Sequence, residues 1–303
     1  MFDRYSLMIL ATTVLWGTFW IPLRKLDAYG DGSVWLTATS IALPLLLIMP
    51  WLIKRRHYWR DGGLTLLFLG LFFGAAAAMY GEGALRGSVA RVILLFYLTP
   101  VWSTLLARIF LKEPITRRRI VTLILGITGL YVILGVDTLL PVPSNGSEWM
   151  GLIAGFCWGV AMVLVQKNKT SSVLDQTGAA LLGFLIVLLL LTLIPGGRSW
   201  EVPSFIHPDT LSSVDWVSVI GWPLFWVLLF GLLWNLPTTL LTLVGAAHVE
   251  PGKVAILLMM EVLIGIGTAA LLTDEPFGTR EMAGAVLVLG ASIVEFIPQK
   301  KTR

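Results

Sequence analysis

Charged residues are scarce in this chain of 303 residues. Asp, Glu, Lys and Arg occupy 13% of its positions, about half of the roughly 25% that soluble domains carry. A chain with so few charges cannot cover a water-facing surface, and 56% of its residues are hydrophobic. This composition excludes a soluble globular protein and predicts an integral membrane protein.

Cysteine is nearly absent, and so are the sequence patterns of a bound metal or nucleotide. The single Cys157 has no partner for a disulfide within the chain, and the three histidines lack the spacing of metal ligands. The segment Gly252-Lys253-Val254 lacks the upstream Gly and the Ser or Thr of a phosphate-binding loop. We therefore expect no enzyme, no metal and no cofactor.

The excess of positive charge reports on membrane orientation. The net charge is +4 and the pI is about 9.3, which in a soluble protein would suggest nucleic acid as a partner. Here Lys and Arg stand in short runs beside apolar segments, a pattern typical of membrane topology. The expected partner is the lipid bilayer, and no nucleic acid is expected.

Apolar windows of about 20 residues, the length that crosses a bilayer, can be placed ten times. Because the backbone must satisfy its own hydrogen bonds in lipid, each window is predicted to be a helix. The predicted fold is an all-α membrane protein with ten transmembrane helices at 6–27, 33–53, 62–85, 88–111, 118–136, 148–167, 174–195, 216–246, 250–273 and 279–298.

The distribution of basic residues predicts which side the termini occupy. With ten spans, sixteen of the 22 Lys and Arg residues fall on the side that also holds both termini. Cytoplasmic loops carry the excess of Lys and Arg. Both termini are therefore predicted to be cytoplasmic.

Two segments of the chain have counterparts further along. The segment 90–114 matches 252–276 without gaps at an offset of 162, with five of 25 positions identical. The segment 15–25 matches 157–167 at an offset of 142, and the loop at 196–215 together with the long eighth window accounts for the difference. Five windows per half give the second half the opposite polarity. We predict two inverted five-helix repeats, residues 1–140 and 141–303.

The motifs within these repeats resemble a known family. They are the Trp-Gly pairs that begin at Trp16 and Trp158, the segments YLTPV and KEP, and their counterparts MEV and DEP, at 97–101, 112–114, 260–262 and 274–276. In these motifs the chain resembles the EamA-type ten-helix members of the drug/metabolite transporter superfamily. It departs from the family at Val262, where proline tends to follow the glutamate, and in the long loop 196–215.

The resemblance implies a secondary transporter, with spans five and ten peripheral. Family members typically export amino acids or other small metabolites, and related branches exchange phosphorylated sugars or nucleotide sugars. The aromatic amino-acid exporters are one plausible relative. The expected location is a bacterial inner (plasma) membrane.

Glu261 is the acidic residue that the sequence places near the membrane midplane. It is about the eleventh residue of its span, roughly 16 Å along a helix that rises 1.5 Å per residue. A charge at that depth costs about 2.5–3.5 kcal/mol, so an intramembrane acid indicates function. The predicted role is binding of a substrate amine or of a proton as coupling ion. The alternative is a hydrogen-bonded glutamate that holds spans together.

Aromatic residues and one amide complete the predicted substrate site. Rings that line a cavity can stack on an aromatic substrate or hold an organic cation, whereas rings near span ends would instead form an interfacial belt. Asn235 precedes Pro237 in the eighth span, where a helix break can expose ligand groups or merely bend the helix. Beside Asn235 and Glu261, the predicted substrate-binding residues are Trp16, Trp20, Tyr80, Tyr97, Trp102 and Trp158.

Basic residues at the span ends form a predicted gate. Glu82 and Arg86 are four residues apart and can pair on one helix face, and Arg91 follows on the same side. At the repeat offset, Arg86 aligns with His248 and Arg91 with Lys253. Such groups could receive a substrate carboxylate on opposite sides of the membrane. Structural pairs at the lipid interface are the alternative.

The sequence thus predicts export of small amphiphilic metabolites, most of all amino acids and among them aromatic ones, by alternating access. With no ATP site, the energy would come from a gradient or from exchange. Three alternatives stay open. A multidrug exporter of lipophilic cations would use the same aromatic residues and Glu261. An exchanger of anionic metabolites would use the basic residues, and a membrane-embedded enzyme or receptor would need no inverted repeat.

Overall fold

The computed structural model of the chain is all-helical over the residues it describes. These are 4–87, 89–134, 142–168, 170–194, 197–201, 203, 221–272 and 278–296. Within them the only β contact is an isolated bridge between Ser33 and Ser199. The prediction of an all-α protein is confirmed.

The first half of the described chain contains seven helices. Two pairs of them, α1–α2 and α5–α6, are single apolar stretches divided by a short break. The helices are α1 (Arg4–Gly17), α2 (Trp20–Tyr29), α3 (Trp35–Lys54), α4 (Arg56–Arg86), α5 (Val89–Phe96), α6 (Thr99–Phe110) and α7 (Arg117–Leu134).

The second half contains seven more helices and one π-helical segment. The side chain of Asn145 caps the first of them, and Ser172 with Asp175 forms a capping box at the second. The helices are α8 (Gly146–Lys167), α9 (Val173–Leu191), α10 (Trp222–Leu229), the π segment (Phe230–Asn235), α11 (Leu236–Ala246), α12 (Pro251–Leu258), α13 (Met260–Leu272) and α14 (Thr279–Phe296).

Eight stretches of the described residues are long and apolar enough to cross a membrane. The other two predicted spans, 118–136 and 279–298, coincide with α7 and α14, which pack against each other. Helix α7 begins with three arginines, and the apolar part of α14 is short, Met282–Val294. The helices occupy all ten predicted windows, while ten membrane crossings and their inverted arrangement stay a prediction.

The helix ends form two opposite faces of the bundle. On the proximal face, which holds the start of α1, the ring of Tyr5 stacks on His248 at 3.8 Å and Arg119 pairs with Glu250. The distal face holds the α2–α3 turn, the end of α4 and the segment 197–201, joined by Arg198. Which face is cytoplasmic stays a prediction from the charge distribution.

Helix α4 lies at the centre, against α8 and α9. Glycines allow the closest approach, as the small-residue spacing of Gly70 and Gly74 predicts. A Cβ atom on Gly74 would overlap the backbone of Gly183 in α9, and one on Gly70 would overlap the carbonyl of Ala179. The two backbones therefore touch along one turn.

Among the described residues, four apolar stretches are interrupted along their length, three of them just before a proline. Pro22, Pro100 and Pro237 each lack an N–H and clash with the carbonyl four residues earlier. The chain breaks at Thr18 before α2 and at Tyr97 and Leu98 before α6, and it forms the π segment before α11. The fourth break, at Met259 between α12 and α13, has no proline.

The breaks at Tyr97 and Met259 are separated by 162 residues, the offset at which the two segments align. This agreement favours the predicted repeat in these spans. The first and sixth spans differ, because α8 runs unbroken from Gly146 to Lys167 whereas α1 and α2 are divided.

Candidate functional site

A small cavity lies where the broken spans meet α4 and α8. Its volume is about 20 Å³, enough for about one water molecule. Among the described residues it is lined by Trp16, Ala76, Ala77, Tyr80, Phe96, Tyr97, Thr99, Trp158, Ala255, Leu258 and Glu261. The walls come from α1, α4, α5–α6, α8 and α12–α13, so both halves of the chain contribute.

Five of the predicted substrate-binding residues line this one cavity. They come from five separate spans and are Trp16, Tyr80, Tyr97, Trp158 and Glu261. Depth along the span, which selected Glu261 in the sequence, and repeat position, which selected Trp16 and Trp158, thus select residues that lie together in space.

Glu261 is the only ionisable carboxylate among the described residues that line the cavity. Its residue is 8% exposed, and no basic side chain in the described part of the chain forms an ion pair with it. It lies in the first turn of α13, where the positive end of the helix dipole favours a negative charge. Helix α1 approaches it closely, since a Cβ on Gly17 would lie 2.6 Å from the Glu261 carbonyl oxygen.

Two tyrosines face the same cavity within electrostatic range of the Glu261 carboxylate. These are Tyr80 and Tyr97. The hydroxyl of Tyr97 is buried and interacts with the Glu261 carboxylate. A cluster of one carboxylate and two hydroxyls can hold a proton or an ammonium group and satisfy its hydrogen bonds.

Aromatic rings form the rest of the wall. The ring of Trp16 meets Trp158 edge to face at 5.4 Å, and Phe96 lies 4.6 Å from Tyr80 and 5.3 Å from Tyr97. These geometries are typical of favourable aromatic pairs. Because Trp16 and Trp158 are related by the 142-residue offset, the two halves meet here through equivalent side chains.

Three other predicted substrate-binding residues lie outside this cavity. Trp20 donates its indole N–H to Thr268 at 3.3 Å, and Trp102 packs edge to face on Phe156 at 5.8 Å. Asn235 ends the π segment, buried, with no partner for its amide nitrogen among the described residues. The structure does not bring these three to Glu261.

The predicted pair of Glu82 and Arg86 forms at the distal face. Arg86 donates to one oxygen of Glu82 at 2.7 and 3.2 Å, and Arg198 approaches the other oxygen at 3.6 Å. Glu82 follows Tyr80 by two positions, a rotation of about 200° around the helix. The pair therefore faces away from the cavity.

The remaining predicted gate residues also lie away from the cavity. His248 is exposed on the proximal face, and Lys253 lies in the first turn of α12 at that face. The side chain of Arg91 lies outside the described residues. Arg86 and His248, which the repeat aligns, occupy opposite faces, as the inverted arrangement predicts.

Sequence reasoning missed several residues that matter. Phe96 lies at the end of α5 because Pro100 displaces its carbonyl, so the Pro100 position could have indicated it. Nothing in the sequence marks Ala76 and Ala77 as part of the site, because they contribute only the space beside their small side chains. Arg198 stood in the long loop and was assigned no role, yet it is buried among polar groups.

The chain is similar in sequence to known transporters and similar in fold to a solved structure. Residues 4–135 match the EamA-like transporter family. An uncharacterized transporter of Helicobacter pylori is 25% identical over 195 residues, which cover 62% of this chain and 62% of that protein. A protein of known crystal structure shares the fold with a TM-score of 0.71 at 14% identity, over 97% of this chain and 98% of that one.

Proposed function

We propose that the chain is a secondary transporter of small amphiphilic amines, with amino acids, and among them aromatic ones, as the leading substrates. One observation carries this proposal. The cavity at the junction of the broken spans combines a single buried carboxylate, Glu261, with an aromatic wall. Transporter sites typically lie at such helix breaks near mid-membrane.

The chemistry of the wall selects an ammonium group. None of the described residues that line the cavity is Lys, Arg or His, so among them a negatively charged substrate would meet only the carboxylate. An ammonium group would pair with Glu261, and an aromatic side chain would stack against Trp16 and Trp158. This lining weighs against an exchanger of anionic metabolites.

The size of the cavity supports alternating access as the mechanism. A volume of about 20 Å³ is far below the roughly 300–1,000 Å³ of ligand pockets. Substrate must therefore enter a conformation in which the cavity is wider and open to one face. Glu261 would then hold the ammonium group in one direction and a proton in the other, which couples export to the proton gradient.

A multidrug exporter of lipophilic cations is the second candidate. The same observation favours it, because the described lining offers no partner for a substrate carboxylate. The two candidates differ in whether that carboxylate is recognised, through polar groups that approach when the cavity opens.

Counterflow in proteoliposomes tests both candidates. The panel is phenylalanine, phenylethylamine, tetraphenylphosphonium and a hexose phosphate. Exchange of phenylalanine but not of phenylethylamine supports the amino-acid transporter, and exchange of phenylethylamine and tetraphenylphosphonium supports the cation exporter. Exchange of the hexose phosphate alone contradicts both.

A matched pair of variants tests the role of Glu261. Glu261→Gln should abolish exchange driven by a proton gradient, whereas Glu201→Gln, on the exposed distal segment, should leave it unchanged. Unchanged proton-driven flux in Glu261→Gln would remove Glu261 from the mechanism.

A further inference from the structure

Two arginines join the halves of the bundle at opposite faces. On the distal face Arg198, which follows α9, reaches the α2–α3 turn and α4. On the proximal face Arg55, which ends α3, pairs with Asp175 in the first turn of α9 at 3.6 Å. Helices α3 and α9 pack against each other, so each arginine extends from the end of one helix to the start of the other.

The two contacts are related by the repeat. Arg55 and Arg198 are 143 residues apart, within one residue of the 142-residue offset that relates Trp16 to Trp158. Helices α3 and α9 are the second spans of the two predicted halves. An inverted repeat places equivalent groups on opposite faces, and these arginines occupy such places.

The distal contact involves several partners of Arg198. Arg198 is 8% exposed and donates to the carbonyl of Ser33 at 2.6 Å, to Thr37 at 2.9 Å and to Asp27 at 2.9 Å. It also lies 3.6 Å from Glu82. A guanidinium group, with five donors in a fixed fork, suits such a site.

The segment that carries Arg198 is docked beside it. The amide of Val34 donates to the carbonyl of Ser199 at 3.0 Å, and the indole of Trp35 donates to the carbonyl of Trp200 at 2.9 Å. By contrast, the side chain of Arg55 is 31% exposed. Of the two arginines, Arg198 is therefore the more deeply buried.

We propose that Arg198 and Arg55 are alternating latches, which close the distal and proximal ends of the path in turn. This inference rests on the proposed transport function. Arg198 belongs to a connecting segment, so it can leave its site without unwinding a helix. Near the aqueous face its partners Asp27 and Glu82 can be rehydrated as it leaves, which makes the contact reversible.

Thiol labelling at the cavity tests the latches without measuring transport. In a Cys157→Ser background, Ala77→Cys places one thiol in the cavity wall. A membrane-impermeant maleimide is applied to reconstituted vesicles from each face in turn. Arg198→Gln should raise labelling from the distal face by about tenfold, with no increase from the proximal face. Arg55→Gln should raise labelling from the proximal face alone.

Neighbouring arginines provide the controls. Arg24→Gln on α2 and Arg56→Gln beside Arg55 remove exposed charges at the same faces, and neither should change labelling. Equal labelling rates in Arg198→Gln and Arg24→Gln would overturn the distal latch. If Arg198→Gln fails to fold, Asp27→Asn removes one partner of the latch at a partly exposed site and should raise distal labelling in the same direction.

The labelling result is separable from the proposed function. A side-specific rise in labelling, together with failed counterflow of every substrate in the panel, would keep the latches and remove the proposed substrates. Intact counterflow with no side-specific labelling would remove the latches alone.

Discussion

The helix breaks at Tyr97 and Met259 lie at aligned positions of the two segments but differ in the side chains that they carry. At the first break Pro100 frees the carbonyl of Phe96, and the hydroxyl of Thr99 donates to that carbonyl at 2.5 Å. At the second, Val262 takes the place of proline and Glu261 takes the place of Thr99, and both Thr99 and Glu261 line the cavity. The first break satisfies its own backbone, while the second keeps its side chain available for a ligand. The predicted repeat would then carry the shape of the break twice and the proposed binding group once.

The strongest way to break this comparison is to make the two sites alike. Glu261→Thr should lower counterflow by about 100-fold or more, because it removes the carboxylate at mid-membrane. The melting temperature should hold or rise, since a buried charge is costly. Counterflow and melting are measured on the same preparation, with Glu201→Gln as control. A large loss of stability with transport retained per folded molecule would make Glu261 a structural residue.

A second variant tests the hydrogen bond of Thr99 at the first break. Thr99→Val keeps the shape of the side chain and removes the hydroxyl that donates to Phe96, so a buried carbonyl loses its partner. We expect a loss of about 1–3 kcal/mol of stability, with transport per folded molecule changed less. Thr39→Val, which removes a similar bond at an exposed site, is the control. Equal melting of the two variants would show that the Thr99 bond has no role at the break.

At the proximal face the end of the first segment, at Glu113, lies near Glu250, which directly precedes α12. Burial and the nearby Glu250 raise the pKa of Glu113 from 4.5 to about 7, against the opposing effect of Arg119. The folded chain therefore binds this proton more tightly than the unfolded chain, and stability falls as pH rises from about 4.5 through 7. Glu113→Gln removes that loss and should be more stable than the parent above pH 7.

The expected gain for Glu113→Gln is about 1 kcal/mol, because solvent screens a partly exposed group. Melting at pH 5 and pH 8 in detergent measures it, with Glu201→Gln for comparison. A gain of the same size at both pH values would contradict titration of Glu113 as the cause.

The smallest effect on stability is expected for Val262→Pro, which places a proline at the second break where the first break has Pro100. Val262 lies in the first turn of α13, where a missing N–H costs little. Val262→Pro removes its 3.2 Å bond to the Met259 carbonyl and should change stability by less than about 1 kcal/mol. Melting and counterflow should both stay close to those of the parent. A loss as large as that of Thr99→Val would show that this break is built differently.

The sequence predicted the broad fold and the centre of the site for physical reasons. Depth along a span and position in the repeat can both be counted along the chain. They selected Glu261, Trp16 and Trp158. Rotation about the helix axis is different, because an almost wholly apolar span gives little sign of which face meets its neighbours. Trp102 and Trp20 have suitable depth and chemistry, yet they point elsewhere.

Arg198 illustrates the second limit of the sequence. Its partners Asp27 and Glu82 lie 171 and 116 residues away along the chain. No local pattern joins them, and a lone arginine in a polar loop reads as a solvated charge. Only the packing of α3 beside α9 brings these groups together.

The glycine contact between α4 and α9 bears on how the bundle can deform. Gly74 and Gly183 bring helices from different halves of the chain into backbone contact. Because no side chain lies between the two backbones at these glycines, none can change rotamer there. We therefore expect helices α4 and α9 to move as one rigid unit. The rigid unit of the bundle would then combine helices from both halves of the chain, and it would not coincide with either predicted repeat. Spin labels on α4 and α9 should keep a single separation while labels on α1 and α13 change theirs.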